Sequence, residues 1–241
     1  MQFTDSHHHL QDYKTKNTQQ ILNDLRNDGF SRIICVSSHP GDWDQVAEIA
    51  QTNPDIIIPA FGVHPWYIKE VPENWEQKLE KLLAKFPSAQ IGECGLDHLK
   101  APVWEGQTEV FEKQINLARR HQRPLNIHLL KAEGDFSPFL NKLPQKFILH
   151  SFSGSLTFLK KVIDYGAYIS VSSAVLRRKN ANELLRAIPF DRLLTETDAP
   201  YQTTSDEMRD FVRKISEIKG FSKDKTAEII LQNFENFNYC K

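Results

Sequence analysis

The chain has 241 residues, with 30 lysines and arginines against 31 aspartates and glutamates, so its formal net charge is −1. This balance excludes a broadly basic nucleic-acid coat protein and a strongly acidic tail. Hydrophobic residues make up 40% and charged residues 25% of the chain. These proportions exclude a disordered or fibrous protein, and the length fits one large globular domain as well as two small ones. The absence of a linker or a low-complexity stretch favours a single domain over residues 1–241.

The cysteines and the apolar segments bear on the compartment. Cys35, Cys94 and Cys240 form no C-x-x-C pair, and no apolar signal segment follows Met1. No apolar run reaches the roughly 18–20 residues that cross a bilayer. We therefore expect a reducing, cytoplasmic environment, no membrane association and no obligate protein partner.

Short apolar runs alternate along the chain with longer segments of helical periodicity. The predicted strands cover residues 2–4, 31–36, 55–61, 90–93, 124–128, 146–150, 168–172 and 192–196. The predicted helices cover residues 17–28, 42–51, 74–85, 105–121, 136–143, a segment capped by Ser155, 182–187, 206–218 and 222–234. About eight strand–helix units predict an α/β fold, a TIM-type (β/α)₈ barrel. An open doubly wound sheet is the alternative, but no G-x-G-x-x-G or Walker loop follows a strand.

Imidazoles and carboxylates fall at or just beyond the carboxyl ends of the predicted strands. In a barrel these ends converge on one mouth, so the residues would meet in space. They are Asp5, His7, His9, His64, Glu93, His128, His150, Glu196 and Asp198. This clustering predicts a functional site.

The chemistry of the cluster indicates metal ions. His7 and His9 lie two residues apart on a strand, which places both imidazoles on one face and His8 on the other. An H-x-H pair alone also fits surface histidines, and a single strand-end histidine is often a hydrogen-bonded structural residue. Taken together, six ligands are more than one tetrahedral ion can bind with a position left open. They predict two divalent ions that share Glu93 and a water molecule, and the reaction that such a centre supports is hydrolysis. The six are His7, His9, Glu93, His128, His150 and Asp198.

Five motifs, in order along almost the whole chain, resemble those of the TatD deoxyribonucleases of the metal-dependent hydrolase superfamily. They are DSHHHL at 5–10, GVHP at 62–65, GECGLD at 92–97, HSFSG at 150–154 and ETDAPY at 196–201. The resemblance implies a TIM barrel with a two-metal centre and exonucleolytic cleavage of DNA at its ends, which we expect to be single-stranded. It also implies Mg²⁺ as the activating ion, with Zn²⁺ and Mn²⁺ as alternatives.

The resemblance also implies a role for each ligand. His7, His9, Glu93 and Asp198 would hold one ion, and Glu93, His128 and His150 the other. Glu93 and Asp198 would be the catalytic residues, with Asp198 orienting or deprotonating the attacking water. This chain departs from the family pattern at Leu130, where an arginine is usual, with Lys131 as a stand-in. Its loop after Tyr201 also looks shorter and less basic.

Several residues keep two interpretations. His64 either contacts the substrate or caps the turn at Pro65. Asp97 either supports a metal ligand from behind or begins the loop that follows its strand. Glu196 either faces the mouth of the barrel or fixes the backbone near it. The basic run at 177–179 either contacts phosphates or is solvated, and Trp66 and Tyr67 either stack on bases or pack on the rim.

Two rival functions stay open. The first is hydrolysis of a small ester, amide or lactone on the same metal pair, which the fold alone does not exclude. Against it, no strand-end lysine is evident to serve as a carbamylated bridge, because Glu93 takes that place. The second is a degenerate binding protein, which is disfavoured because no expected ligand is missing.

Overall fold

The strands of the computed structural model form one parallel sheet. The structure describes residues 1–14 and 17–238, and within them eight strands pair in chain order. The strands are β1 (Phe3–His8), β2 (Phe30–Val36), β3 (Ile57–Phe61), β4 (Gln90–Asp97), β5 (Leu125–Leu130), β6 (Phe147–Leu149), β7 (Tyr168–Val171) and β8 (Leu193–Thr195). The predicted (β/α)₈ barrel is confirmed.

The seam of the barrel lies between the first and the last strand. The Asp198 N–H donates to the His7 carbonyl at 2.9 Å, and the His9 N–H donates to the Ala199 carbonyl at 2.9 Å. Below them, the Ser6 hydroxyl donates to the Thr195 carbonyl at 3.1 Å. The seam therefore closes where two of the predicted ligands leave their strands.

Helices follow the strands and cover the outside of the barrel. They are α1 (Thr18–Asp28), α2 (Trp43–Thr52), α3 (Trp75–Lys85), α4 (Gln107–Arg120), α5 (Glu133–Phe136), α6 (Leu156–Asp164), α7 (Ala181–Ala187), α8 (Met208–Lys219) and α9 (Lys223–Asn238). The Ser155 hydroxyl accepts the Phe158 N–H at 3.1 Å, which confirms the predicted cap of α6. The Asn17 side chain and Gln20 form a capping box on α1, and Gly29 ends that helix in the left-handed conformation.

Most predicted elements differ from the structure by one or two residues at an end, and the larger differences concern β1, β4, α9 and the helix predicted at 136–143. Strand β5 extends to Leu130, so His128 lies inside its strand. Strand β1 extends to His8 and β4 extends to Asp97, so Glu93 lies in the middle of its strand and not at its carboxyl end. The extension of β4 follows from its pairing with β5 from Cys94 to Asp97. The helix predicted at 136–143 is also wrong. Its residues continue from α5 as a 3₁₀ helix over Ser137–Lys142, because Pro138 lacks the N–H that an α-helix needs there.

The close pairing of β4 with β5 depends on glycine. Gly95 has a φ of 143°, and a Cβ at this position would lie 1.9 Å from the carbonyl oxygen of His128. Only glycine therefore permits the backbones of Gly95 and His128 to pair as they do. This pairing places the His128 side chain beside that of Glu93.

Helix α9 closes one end of the barrel. Its Phe234 and Phe237 are buried in one cluster with Ile34, Ile58 and Leu194. The Asn233 amide donates to the carbonyls of Phe190 and Leu193, at 2.7 and 2.9 Å, at the beginning of β8. The amino-terminal end of the barrel is thus filled with apolar side chains, and the carboxyl end is left to the polar residues.

The cysteines and the helices bear on two expectations drawn from the sequence, namely a reducing environment and the absence of a membrane span. Cys35 and Cys94 are buried free thiols, and Cys240 lies outside the described residues. Among the helices of the described residues, none combines the length and the apolar character that a membrane span requires.

Candidate metal centre

Two imidazoles converge at the end of β1. His9 lies one residue beyond the strand, and the Nε2 atoms of His7 and His9 are 3.0 Å apart. The ring of His8 lies on the other side, as predicted from strand alternation, with its Nδ1 3.0 Å from Asp5 Oδ2. Two imidazole nitrogens at such a distance need a shared proton or a shared cation between them.

The proton on His7 can be placed from its partner. His7 Nδ1 lies 2.8 Å from Asn126 Oδ1, and the Asn126 amide donates to the Ser6 carbonyl at 2.9 Å. Because the amide oxygen can only accept, His7 donates from Nδ1 and its neutral ring has a lone pair at Nε2. That lone pair points toward His9, where a cation could bind.

Two carboxylates complete this first group of donors. Glu93 Oε2 lies 3.4 Å from His7 Nε2 and 3.6 Å from His9 Nε2. Asp198 Oδ1 lies 3.8 and 3.4 Å from the same two nitrogens. Ligands held about 2.1 Å from a tetrahedral ion lie about 3.4 Å from one another, so these four atoms have the spacing of a coordination shell.

A second group of donors surrounds the other oxygen of Glu93. Oε1 lies 2.9 Å from His150 Nε2, 3.0 Å from His128 Nδ1 and 3.3 Å from His64 Nε2. The His128 and His150 nitrogens are 3.3 Å apart. Glu93 therefore presents one oxygen to each group, which is the arrangement of a carboxylate that bridges two ions.

The three imidazoles of the second group are not equivalent. His128 Nε2 lies 3.1 Å from Asp97 Oδ2, and a hydrogen bond to this carboxylate keeps the ring proton on Nε2. The Nδ1 atom of His128 is then left with a lone pair that faces Glu93. In His64 the two ring nitrogens have the opposite roles, because Nδ1 accepts a hydrogen bond from the backbone N–H of Trp66 at 3.1 Å. The proton of neutral His64 is therefore on Nε2, which makes this atom a hydrogen-bond donor toward Glu93. The candidate ligand atoms of His64, Glu93 and His128 also lie within 4.8 Å of one another, the spacing of a possible metal group. Both interpretations of His64 are compatible with this geometry, since it caps the turn and faces the centre.

Buried charges set the pKa values of the centre. Burial alone would raise the pKa of Glu93, but the surrounding imidazoles hold it well below its ordinary value. Asp198 behaves similarly: burial would raise its pKa, and the hydrogen bond with His9 and nearby imidazoles lower it to about 2. Burial would lower the pKa of His9, but Asp198 and Glu93 raise it to about 9. Burial lowers the pKa of His64 to about 4 against the opposing charge of Glu93. Both carboxylates are thus ionised at neutral pH, and His64 is uncharged.

Asp97 connects a ligand to the loop that follows β4. Its Oδ2 accepts from His128 Nε2 and, at 2.8 Å, from the Trp66 indole. Its Oδ1 accepts the N–H groups of Leu99 and Lys100, at 2.8 and 2.7 Å. Asp97 thus fills both roles considered for it: it orients an imidazole and it begins the loop.

Asp5 and Glu196 are the predicted strand-end carboxylates outside the two groups of donors around Glu93. Asp5 is fully buried at the seam, where it accepts from the Thr197 hydroxyl at 2.5 Å. Glu196 Oε1 accepts the Ser151 N–H at 2.7 Å and lies 3.8 Å from His150 Nδ1. Glu196 therefore fixes the backbone beside His150, and its ligand atom also lies within 4.8 Å of those of His7 and His150, so both of its interpretations are compatible with the geometry.

A cavity of about 420 Å³ opens above both groups of donors. Trp66 and Tyr201 stand at its rim with 38% and 66% of their surfaces exposed. The remaining lining outside the centre consists of Ser38, Tyr67, Lys100, Leu129, Leu130, Ser151, Ser153 and Gln202. The cavity therefore combines aromatic surface with one lysine, in a volume typical of small-ligand sites.

The basic residues considered from the sequence lie elsewhere. Lys131 lines an adjacent cavity of about 320 Å³ behind His150, and Leu130 lines the main one. Arg178 donates to the carbonyls of Phe152 and Ser153, both at 3.1 Å, so it supports the loop after β6. Lys100 is the lysine of the main cavity, and sequence reasoning missed it.

Two further polar residues were missed. Asn126 lies two residues before His128, so strand alternation could have placed both on the inner face of the barrel. Gln202 lies in the loop after Tyr201, and its amide contacts Asp198 Oδ2 at 2.6 Å. No local pattern marks Gln202, because its partners come from three different loops.

Comparisons with known proteins show which family the chain resembles. A family model described as TatD related DNase matches residues 4–238. The chain is 33% identical over 190 residues to the deoxyribonuclease Tat-D of Schizosaccharomyces pombe, an alignment that covers 72% of this chain and 60% of that protein. It is 32% identical over 190 residues to the 3'-5' ssDNA/RNA exonuclease TatD of Edwardsiella piscicida, covering 76% of this chain and 73% of that one.

The fold has close counterparts among solved structures. A TatD homologue from Escherichia coli superposes with a TM-score of 0.89 at 24% identity, covering 99% of this chain and 98% of that one. The comparisons confirm the resemblance to the TatD deoxyribonucleases that the five motifs indicated. They also confirm the prediction that the chain is an enzyme of this metal-dependent kind.

Proposed function

Because the chain belongs to the TatD related DNase family, we propose that it removes nucleotides from the ends of single-stranded nucleic acid by hydrolysis at two divalent ions. The observation that carries this proposal is the position of Glu93, whose two oxygens face two separate groups of imidazole and carboxylate donors. A single-ion site would not need a carboxylate shared in this way.

We assign the donor atoms to the two proposed ions. His7, His9, Asp198 Oδ1 and Glu93 Oε2 would hold one, and His128, His150 and Glu93 Oε1 the other. The resemblance implies Mg²⁺ as the activating ion, whereas four imidazoles favour Mn²⁺ or Zn²⁺ as occupants. When bound, the ions would lower the pKa of a water and offset the charge of the scissile phosphate.

Asp198 would position the attacking water. Its pKa of about 2 keeps the carboxylate ionised and therefore able to accept a hydrogen bond at neutral pH. It also lies at the floor of the main cavity. A carboxylate placed there fixes the direction from which a water approaches the phosphorus.

His64 would bind the substrate. Its Nε2–H faces the centre, its Nδ1 is fixed by the Trp66 N–H, and its low pKa keeps the ring neutral. A neutral donor of fixed direction can bind a phosphate oxygen without competing for a metal ion. We therefore assign His64 to a non-bridging oxygen of the scissile phosphate.

The preference for single strands would follow from the cavity. Its volume of about 420 Å³ suits one nucleotide, and the exposed rings of Trp66 and Tyr201 offer surfaces for unpaired bases. Lys100, held at the mouth through its N–H bond to Asp97, would contact a neighbouring phosphate. A paired end would have to open before its last nucleotide could enter.

One substrate panel tests the proposal. End-labelled single-stranded DNA and RNA, a blunt DNA duplex, a circular single strand and a chromogenic ester would each be incubated with Mg²⁺, Mn²⁺ and Zn²⁺. We expect stepwise shortening of the linear single strands and no cleavage of the circle, with Glu93→Gln as the inactive control. Cleavage of the circle would contradict exonuclease action. Rapid turnover of the ester without cleavage of nucleic acid would favour the rival hydrolase.

A further inference from the structure

Gln202 contacts the outer oxygen of Asp198, and neither the motifs nor the family match assigns it a role. The N–H groups of Tyr201 and Gln202 both donate to the Asp198 carbonyl, at 2.8 and 3.0 Å. This tight turn brings the Gln202 side chain back over the carboxylate. Its amide nitrogen then lies 2.6 Å from Asp198 Oδ2, while Oδ1 faces His7 and His9.

The remaining contacts fix the orientation of the Gln202 amide. Its nitrogen also donates to the Ser151 hydroxyl at 2.7 Å, and its oxygen accepts from the Ser172 hydroxyl at 3.0 Å. The carbonyl oxygen of the Gln202 amide is therefore paired with Ser172, and its two N–H groups are paired with Ser151 and Asp198. Ser172 is buried, so this anchor is held by packing.

These contacts join three loops of the mouth. Asp198 follows β8, Ser172 follows β7, and Ser151 follows β6 directly after His150. One amide thus connects a donor of the first group with the residue next to a donor of the second. Without it, the Asp198 carboxylate could turn about its terminal torsion and exchange its two oxygens.

We propose that Gln202 is a positioning residue that holds Asp198 with a single oxygen directed at the His7–His9 ion. The inference rests on the proposed two-ion function, because the oxygen that it orients is a donor of the first group. Outer partners of metal ligands typically contribute tenfold to a hundredfold to metal affinity. Loss of the Gln202 amide should therefore weaken one ion more than the other.

The test uses Mn²⁺ binding to the full chain, measured by calorimetry. Asp198→Ala identifies which of the two binding events belongs to the first group. In Gln202→Leu, which keeps the size of the side chain but donates no hydrogen bond, we expect that event to weaken about tenfold and the other to change less than twofold. Gln232→Leu, on the exposed face of α9, serves as the matched control and should bind as the wild type does.

A second variant guards against misfolding of the first. Ser172→Ala leaves Gln202 in place but removes the anchor of its oxygen, so it should weaken the same event by a smaller factor. Steady-state kinetics on a single-stranded oligonucleotide should show a fall in kcat with little change in KM at subsaturating Mn²⁺.

Each outcome has a distinct meaning. Unchanged Mn²⁺ affinity in Gln202→Leu would overturn the inference, as would a raised KM at normal affinity, which would make Gln202 a substrate contact. Normal Mn²⁺ binding by a wild-type protein that cleaves no nucleic acid would contradict the proposed function and leave the inference intact. A wild-type protein that binds no Mn²⁺ would overturn both.

Discussion

At the scale of single residues, Glu93 is the side chain on which both groups of donors depend. Its oxygens lie within 2.9–3.6 Å of five imidazole nitrogens, and its pKa stays well below the ordinary value because those imidazoles outweigh burial. A neutral isostere would keep the shape of the side chain and lose the charge that would hold the two proposed cations in place.

Substitution of this residue should therefore affect both ions. We expect Glu93→Gln to lower the Mn²⁺ affinity of both binding events at least tenfold, whereas His150→Ala should lower mainly one. Metal analysis of dialysed protein should find about two equivalents in the wild type. Equal loss from both positions in the two variants would argue against a bridging role for Glu93.

His64 is the imidazole of the centre that we propose as a substrate contact and not as a ligand. We expect His64→Ala to reduce kcat/KM on the order of a hundredfold, the usual effect of removing one donor to a transition state, with unchanged Mn²⁺ stoichiometry. His64→Gln can place an amide N–H near the position of Nε2 and should recover part of this loss. Loss of one metal equivalent in His64→Ala would instead make this residue a ligand.

At the scale of elements, the contact between β4 and β5 places Glu93 beside His128. The nearest atom to a Cβ at position 95 would be backbone, the His128 carbonyl oxygen at 1.9 Å, and backbone cannot move aside as a flexible side chain can. We expect Gly95→Ala to lower the free energy of unfolding by at least about 3 kcal/mol, measured by urea denaturation.

The control for this prediction is Gly134 in α5. A Cβ there would meet nothing within 4 Å, so Gly134→Ala should be neutral or stabilise the fold by up to about 1 kcal/mol. Similar stability of the two variants would show that the β4–β5 contact adjusts to a methyl group.

The elements also show how far the sequence reaches. The alternation of strands and helices predicts the barrel, and its strand ends predict His7, His9, His128 and His150, because both are local patterns. The length of β4 is different, since the pairing of Cys94 to Asp97 with β5 depends on partners 33 residues away along the chain. The position of Gln202 is harder still to predict, because its partners follow three different strands and no periodicity records them.

At the scale of the whole molecule, the metal-free centre makes stability depend on pH. His9 has a folded pKa of about 9 against an ordinary 6.5, because Asp198 and Glu93 outweigh its burial. Because the pKa of His9 is higher in the folded state than in the unfolded state, protonated His9 stabilises the fold. This contribution is complete below about pH 6.5 and is lost as the pH rises through about 9.

We therefore expect chelator-treated protein to lose on the order of 2–3 kcal/mol of unfolding free energy between pH 6.5 and 9. Thermal denaturation across this range measures the change. Protein loaded with Mn²⁺ is the control and should lose less, since the ion takes the place of the proton. A constant Tm for the metal-free protein would contradict the assigned pKa.

The charge of the whole molecule predicts weak dependence on salt. The net charge is −1, and Lys100 is the cation that lines the main cavity. Each phosphate contact with a single strand contributes roughly −0.7 to the slope of log affinity against log salt concentration. With about two or three such contacts, log kcat/KM for a short single strand should fall with log salt concentration at a slope of about −2. A slope of about −6 or steeper would reveal an extended basic groove.

The seam between β1 and β8 has a consequence for how the protein is made. The hydrogen bond from Thr197 to Asp5 joins residues 192 positions apart, and the backbone hydrogen bond from Asp198 to His7 lies beside it. A growing chain on the ribosome therefore carries His7 and His9 long before Asp198 has been synthesised. Because the first group of donors needs Asp198 as well as these two imidazoles, that group cannot be complete before residue 198 has been synthesised.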